Sequence, residues 1–515
     1  MLRALGLALL IGACGGREAR SPDAAATEGP VARPTSVIAI AAIRGLDPVF
    51  AAARRLLGPA LPAGADGRAV AVALAGLEPA SRDALDPDGT VFVLVIDGEA
   101  PSVVVALPLE GAAAHVAIAS GAPGVGTRAG RFFVIAADRA TAAAVAPWIT
   151  RTLARRAWEH SVSLEVDAAA APRVAEILTG VVGDLAAELD AEARAARAAM
   201  GRDPEIGEPE AIAGWVEETG RRWANAIGGA AIEAHLDFSG RSVSIRIDLE
   251  AIAGTDLAVE LERSAPGDVE LLGLMPADAP LAVGVRRGEE ERRAESARTI
   301  ALLARIAGPR MAPSETATLR SLAAAWDAAT GPEGAFALGL DGSRATLRVA
   351  SEARDPDGAA AAIDGLADAM GGGYLGLVGE RLGAWIGPAS RLAHARSRVF
   401  RGGASGPLGD RWELGSIPTA GQIRVVAGAT DGIDWAPAAS VLGRADVAAL
   451  RRAGDGRLVT LGAASPSRLV PLVAPIGGER LERLARAVAA RGTADPVVWS
   501  VEVEGRHSTI HVRLK

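Results

Sequence analysis

The stretch VFVLVIDG at residues 91–98, together with AFALGLDG at 335–342, decides the fold of this chain. Each run is strand-like, and their aspartates, Asp97 and Asp341, lie 244 residues apart. Each follows a segment with turn chemistry, DPDGT at 86–90 and GPEG at 331–334, in which proline presets φ and glycine permits positive φ. Each is followed by a second strand-like run, SVVVALPL at 102–109 and ATLRVAS at 345–351. The pattern predicts a β-hairpin in each half of the chain.

Three further blocks recur in the same order. LDFSGRSVSIRIDL ends at Leu249 and VEVEGRHSTIHVRL at Leu514, an offset of 265. Both alternate apolar and polar residues about a glycine, Gly240 or Gly505. Leu236, Phe238, Ile245 and Ile247, and likewise Val501, Val503, Ile510 and Val512, are expected to face a core. RFFVIAAD (131–138) is similar to RLGAWIGP (381–388) at offset 250, and LEVDAAAAPRV (164–174) to VTLGAASPSRL (459–469) at offset 295. The expected fold is α+β: two related halves, each a mostly antiparallel sheet of about seven strands with helices packed on one face. The first half spans 36–262 and the second 268–515, with the boundary at SAPGD, 264–268. The changing offsets place about 45 extra residues in the second half, near 398–445, and about 30 in the first, within 179–230. The latter read as two helices. Asp47-Pro48 and Asp355-Pro356 are expected to cap the helices that follow them, and GGERLERLARAVAAR (477–491) has helical spacing.

Composition narrows the function classes. Half of the 515 residues are apolar but only 3% are aromatic, so alanine, valine and leucine must fill the core. The net charge is −8, and the only lysine is Lys515. An acidic chain without basic blocks is a poor nucleic-acid binder, because phosphate neutralisation needs clustered positive charge. The group Arg151, Arg155 and Arg156 reads as a solvated helix end.

Residues 1–14, MLRALGLALLIGAC, contain the sole cysteine, Cys14. Arg3 precedes an apolar run from Ala4 to Ala13, far short of the roughly 20 residues that span a bilayer and suited to a secretory signal. Ile11-Gly12-Ala13-Cys14 resembles the lipobox of bacterial lipoproteins, with Ile11 in place of the commoner leucine. The resemblance implies that 1–13 is a signal peptide cleaved between Ala13 and Cys14. It also implies a diacylglycerol thioether on Cys14 and an acylated new N-terminus. Gly15 and Gly16 replace the aspartate that resembles an inner-membrane retention signal, which favours the outer membrane in a cell with two. Residues 15–35 lack a hydrophobic period and read, with the lipidated Cys14, as a flexible tether.

A P-loop needs a lysine that Lys515 cannot supply. Gly124-x-Gly126-x-x-Ala129 is followed by a strand-like run rather than a helix, so a loop is expected there instead of a dinucleotide fingerprint. DPDG at 86–89 and 355–358 has glycine at the wrong place for a calcium loop. His507 and His511 on a strand are about 13 Å apart, too far to share a zinc ion. No metal site and no cofactor are expected. No Gly-x-Ser-x-Gly elbow occurs, and acylation leaves no thiol nucleophile. Trp215 and Trp223 sit two helical turns apart and read as packing residues. Trp412 and Trp435, in the Gly/Pro-rich insertion, are the candidate binding surface. The expectation is an exported, lipid-anchored envelope protein that binds or scaffolds an envelope partner without catalysis. The alternatives are a carrier for lipid or another apolar ligand, and an envelope hydrolase whose site is not visible in sequence.

Overall fold

The computed structural model describes residues 29–57, 66–98, 101–111, 114–120, 124–158, 160–166, 225–237, 242–341, 344–376, 396–401, 411–427, 437–473 and 497–514, with isolated positions 191, 218, 220, 222 and 435. The chain divides into two units. Unit 1 takes residues 1–181, 223–252 and 509–515; unit 2 takes 182–222 and 253–508. Both are α+β with antiparallel strand pairing.

Unit 1 runs β1 (Val37–Arg44), α1 (Leu46–Leu57), α2 (Gly67–Leu74), β2 (Thr90–Ile96), β3 (Ser102–Pro108), β4 (Val125–Ala129), β5 (Phe132–Ala136), α3 (Arg139–Arg151), β6 (Val162–Val166), β7 (Ile227–Asp237) and β8 (Ser242–Ala251). The sheet order is β4-β5-β3-β2-β1-β6-β7-β8, every pair antiparallel. Residues 509–514 of the C-terminal strand lie beside β8.

Helices cover both faces of this sheet, which corrects the expectation of one covered face. Val91 of β2 and Leu107 of β3 pack with Leu46, Val49 and Val72 of α1 and α2. Phe92 and Leu94 of β2 point the other way, into a cluster with Val104, Phe132 and Val134, closed by Val145, Trp148 and Ile149 of α3. The physical reason is legible in β2 itself. A strand wet on one face alternates apolar and polar residues, whereas one buried on both faces is apolar throughout.

Local chemistry places the helices. Asp66 caps α2 by accepting from the Ala69 N–H at 2.7 Å. The hydrogen bond from Arg82 holds the Asp66 carboxyl below its ordinary range. Asp47 does not cap α1, which begins one residue earlier. Its carboxylate instead accepts from the Arg68 N–H at 3.0 Å and from Arg68 Nε at 2.9 Å, tying α1 to α2. The two helices meet where a Cβ on Gly67 would lie 1.9 Å from the Leu46 carbonyl oxygen. The expected tether, which ran to Thr35, also shortens. Val31 already packs on the α3 cluster, its N–H donates to Thr152 Oγ1 at 2.9 Å, and that hydroxyl donates to the Val31 carbonyl at 2.7 Å.

Unit 2 runs α4 (Asp256–Glu262), β9 (Leu281–Arg286), α5 (Glu289–Ala307), α6 (Pro313–Ala329), β10 (Thr330–Asp341), β11 (Arg344–Ala353), α7 (Pro356–Ala369), β12 (Arg396–Arg401), β13 (Arg411–Thr419), β14 (Gln422–Ala427), α8 (Ala445–Gly454), β15 (Leu458–Ala464), α9 (Pro466–Val473) and β16 (Val497–Glu504). Its order is β12-β13-β14-β11-β10-β9-β15-β16, again antiparallel throughout. This sheet is also covered twice. Ala335, Ala337 and Ala350 face Val447 and Leu450 of α8. Val349, Ile423 and Val425 face Trp326 and Ala329 of α6 and Ala359 and Ile363 of α7.

Several sequence expectations change here. GPEG at 331–334 is not a turn but part of β10, where the register shifts between Thr330 and Gly334. Gly124-x-Gly126 belongs largely to strand β4, not to a loop. The alternation expected across 501–512 breaks where Glu502 and Val503 are both buried. DPDG at 86–89 is a turn, with Asp86 accepting from the Asp88 N–H at 3.0 Å. Asp355 caps α7 by accepting from the Gly358 N–H at 3.0 Å. The runs RLGAWIGP and GGERLERLARAVAAR and nearly all of 179–230 lie outside the described residues.

The α1–α2 contact has no slack for a methyl group, so Gly67→Ala forces backbone movement. We expect a loss of about 2–3 kcal/mol in urea unfolding. Gly372→Ala, at a position with nothing within 4 Å, serves as the control.

Candidate functional site

Unit 2 carries a cleft of about 440 Å³ between α5, α6 and α7. It arises because three helices lie over a sheet face that α6 and α7 already cover. Its walls are apolar along most of their length: Ile300 and Leu303 from α5, Leu319, Leu322 and Trp326 from α6, and Leu366 from α7. One end is polar, formed by Arg287, Arg292, Glu295, Ser296 and Asp327.

The helices that make the walls are set by ordinary signals. Pro313 opens α6, and Glu315 reaches back to accept from the Ala312 N–H at 2.8 Å. From there Leu319, Leu322, Ala323 and Trp326 recur at helical spacing and form one face. Asp327 follows immediately and is only 3% exposed.

The polar end is built around Arg292. Its Nη2 donates to the Asp327 and Thr330 carbonyls at 3.1 Å each, and its Nη1 to the Arg287 carbonyl at 3.0 Å. A guanidinium thus satisfies carbonyls at the C-terminal end of α6, where a positive charge also meets the negative end of the helix dipole. Burial pulls the Arg292 pKa down. Arg287, at the mouth, pairs with Glu295 at 2.6 Å. Burial pushes the Asp327 carboxyl up, against the hydrogen bond from Ser296 and the attraction of Arg292. Glu291, one residue before Arg292, is also pushed up by burial. The cleft therefore has an apolar body and a closely bonded polar end, the layout of a site for an amphiphilic or apolar ligand.

Comparison with known proteins adds no precedent. No protein-family model, curated protein or solved structure matches this chain. Its function must be read from its own residues.

The tryptophans singled out from sequence lie elsewhere. Trp435, half-buried, packs against the core of unit 2, with the Arg424 guanidinium 5.4 Å from its ring centre. Trp412 stands on β13 opposite Phe400, and its side chain lies outside the described residues. His507 and His511 sit on the C-terminal strand, as expected. Among the described residues no cluster of His, Cys, Asp and Glu is arranged to hold a metal ion. Cys14, Trp215 and Trp223 lie outside the described residues. The sequence reading missed Trp326 and Asp327. The signal available was an acid placed next to an apolar stripe in a segment with a proline–glutamate helix start.

The raised Asp327 sets a pH test. The folded state holds that proton more tightly than the unfolded chain does. The stability that Asp327 contributes is therefore fully present below the ordinary carboxylate pKa, about 4, and is lost as pH rises from there through the raised value. Asp327→Asn should make this decline shallower, leaving the part due to Glu291 and Glu333, which burial also raises. Urea midpoints between pH 4 and 7 measure it; an unchanged slope would remove the ionisation from the account.

Proposed function

We propose that this chain is a bacterial lipoprotein, exported and held in the envelope by acylated Cys14, whose body works by binding an apolar or amphiphilic ligand. The observation that carries the binding part is the cleft between α5, α6 and α7. Its volume of about 440 Å³ falls in the range of small-molecule sites, and its apolar walls end in a few fixed polar groups. The anchor rests on the placement of Cys14 behind a short apolar run. In a cell with two membranes, the absence of an aspartate after Cys14 favours the outer one.

The cleft favours the carrier over a pure scaffold. A hydrolase is less well supported: Ser296 and Asp327 share a hydrogen bond at the polar end, but the lining includes no histidine to serve as base.

The reading includes an internal duplication. The order β4-β5-β3-β2-β1-β6-β7 in unit 1 has the same sequence of connections as β13-β14-β11-β10-β9-β15-β16 in unit 2, which supports it. On this equivalence β5 corresponds to β14 rather than to 381–388. The surplus of the second half then falls between β11 and β13, at 354–410, rather than near 398–445. That surplus includes α7, one wall of the cleft. The ligand site is thus an addition to one copy, built on longer helices than α1 and α2 provide.

Two measurements test the reading. The N-terminal peptide of native protein should carry acyl groups on Cys14, and Cys14→Ser should release the protein from membranes. A bromoalkanol should quench Trp326 fluorescence, with the quenching abolished by Trp326→Phe and weakened at least tenfold in apparent affinity by Ala323→Phe, which puts a ring in the cleft. Equal quenching in Trp326→Phe would show that the ligand binds elsewhere.

A further inference from the structure

The charges at the polar end of the cleft between α5, α6 and α7 are already engaged with one another, and this bears on which head group can enter. Among the described residues, four charged side chains line the cleft: Arg287, Arg292, Glu295 and Asp327. Arg287 Nη1 lies 2.6 Å from Glu295 Oε2, and its Nε lies 3.9 Å from Glu291 Oε1. Arg292 commits Nη1 and Nη2 to the Arg287, Asp327 and Thr330 carbonyls, and its Nε is buried, out of a ligand's reach. Asp327 accepts from Ser296, and burial favours its protonated form.

An ionised head group meets no spare partner in this set. An anion must displace Glu295 from Arg287, and a cation must displace Arg287 from Glu295. Either exchange breaks one ion pair for each that it forms, while the head group also loses its hydration. An uncharged head loses far less. It can bond to the hydroxyls of Ser296 and Thr299, which both line the cleft and can both donate and accept.

The apolar body suits one chain. The α6 wall from Leu319 to Trp326 is about 10 Å long at 1.5 Å per residue. At its far end Ile300 and Leu319 join a cluster with Met311, Tyr374 and Leu375. A wall of this length and a volume of about 440 Å³ match a single alkyl chain of moderate length.

We infer that the cleft selects single-chain amphiphiles with an uncharged polar head, such as an alcohol, ester or amide, over alkyl carboxylates and alkylammonium ions. The inference rests on the cleft being the ligand site, as proposed above, and adds the class of head group that it admits.

The test is a competition on the full chain with Cys14→Ser, so that no acyl group takes part. The bromoalkanol is bound first, and its quenching of Trp326 is then reversed by decanol, decanoate or decyltrimethylammonium. All are kept below their micelle thresholds, at about pH 8, where decanoate is ionised. Decanol should compete at about tenfold lower concentration than either ion. Glu295→Gln removes the carboxylate 2.6 Å from Arg287, and should shift the preference about tenfold from decanol toward decanoate. Misfolding cannot produce a gain for one competitor. Either ion competing as well as decanol would overturn the inference, as would an unchanged ratio in Glu295→Gln. Absence of quenching by the bromoalkanol, or quenching that persists in Trp326→Phe, would instead overturn the reading of the cleft as the ligand site.

Discussion

Burial of the sheets on both faces is the constraint from which the rest of this structure follows. A sheet with one wet face needs apolar residues at alternate positions only. Here β2 is apolar at six of its seven positions, and Phe92 and Leu94 are fully buried on one face while Val91 is buried on the other. Each unit must therefore supply helices above and below its strands. In unit 1 these are α1 and α2 on one side and α3 on the other. In unit 2, α8 takes one side and α6 and α7 the other. With few aromatic residues to fill space, close approach replaces bulk. Gly67 lets two helices touch backbone to backbone, and Gly462 lies under the Trp499 ring, where a Cβ would come within 2.3 Å.

The same constraint explains where a cleft can form. In unit 2, α6 and α7 already seal the sheet face, so α5 packs mainly against other helices. Its contacts with α6 are apolar near Ile300 and Leu319 and polar near Arg292 and Asp327. The space left between three helices is free to be shaped without opening the sheet core. Unit 1 has two shorter helices between β1 and β2, and only residues 109–124 between β3 and β4.

The sequence displayed some of this plainly. The hairpins β2–β3, β7–β8 and β10–β11 follow from apolar runs around turn residues, and Asp355 and Pro356 announce α7. Covering of both faces was equally visible in VFVLVIDG, which lacks the polar alternation a one-sided sheet requires. What the sequence could not fix was register. Matching Phe92 with Phe336 pairs β2 with β10, but Phe92 lies in the cluster under α3, whereas it is Ala335 and Ala337, the neighbours of Phe336, that lie in the cluster under α8. Because successive side chains alternate faces, a match that is one residue out exchanges inside for outside while leaving the similarity intact. The cleft was hidden for a related reason. Its walls come from three helices whose apolar stripes read as ordinary core, and only the packing shows that Trp326 and Leu322 border a space. The tryptophans in the Gly/Pro-rich stretch drew attention by their surroundings, and of these Trp435, half-buried, packs against the core of unit 2.

One feature of the fold bears on the order in which the molecule can be assembled. Unit 1 begins at the N-terminal end of the chain, but residues 509–514, beside β8, belong to it as well. Its sheet therefore stays one strand short until residues 509–514 have been synthesised. A prematurely ended chain would carry β8 as a bare edge, with unpaired backbone groups open to other chains. Completion of the first-made unit thus reports that unit 2, which lies between its parts in sequence, has already been made.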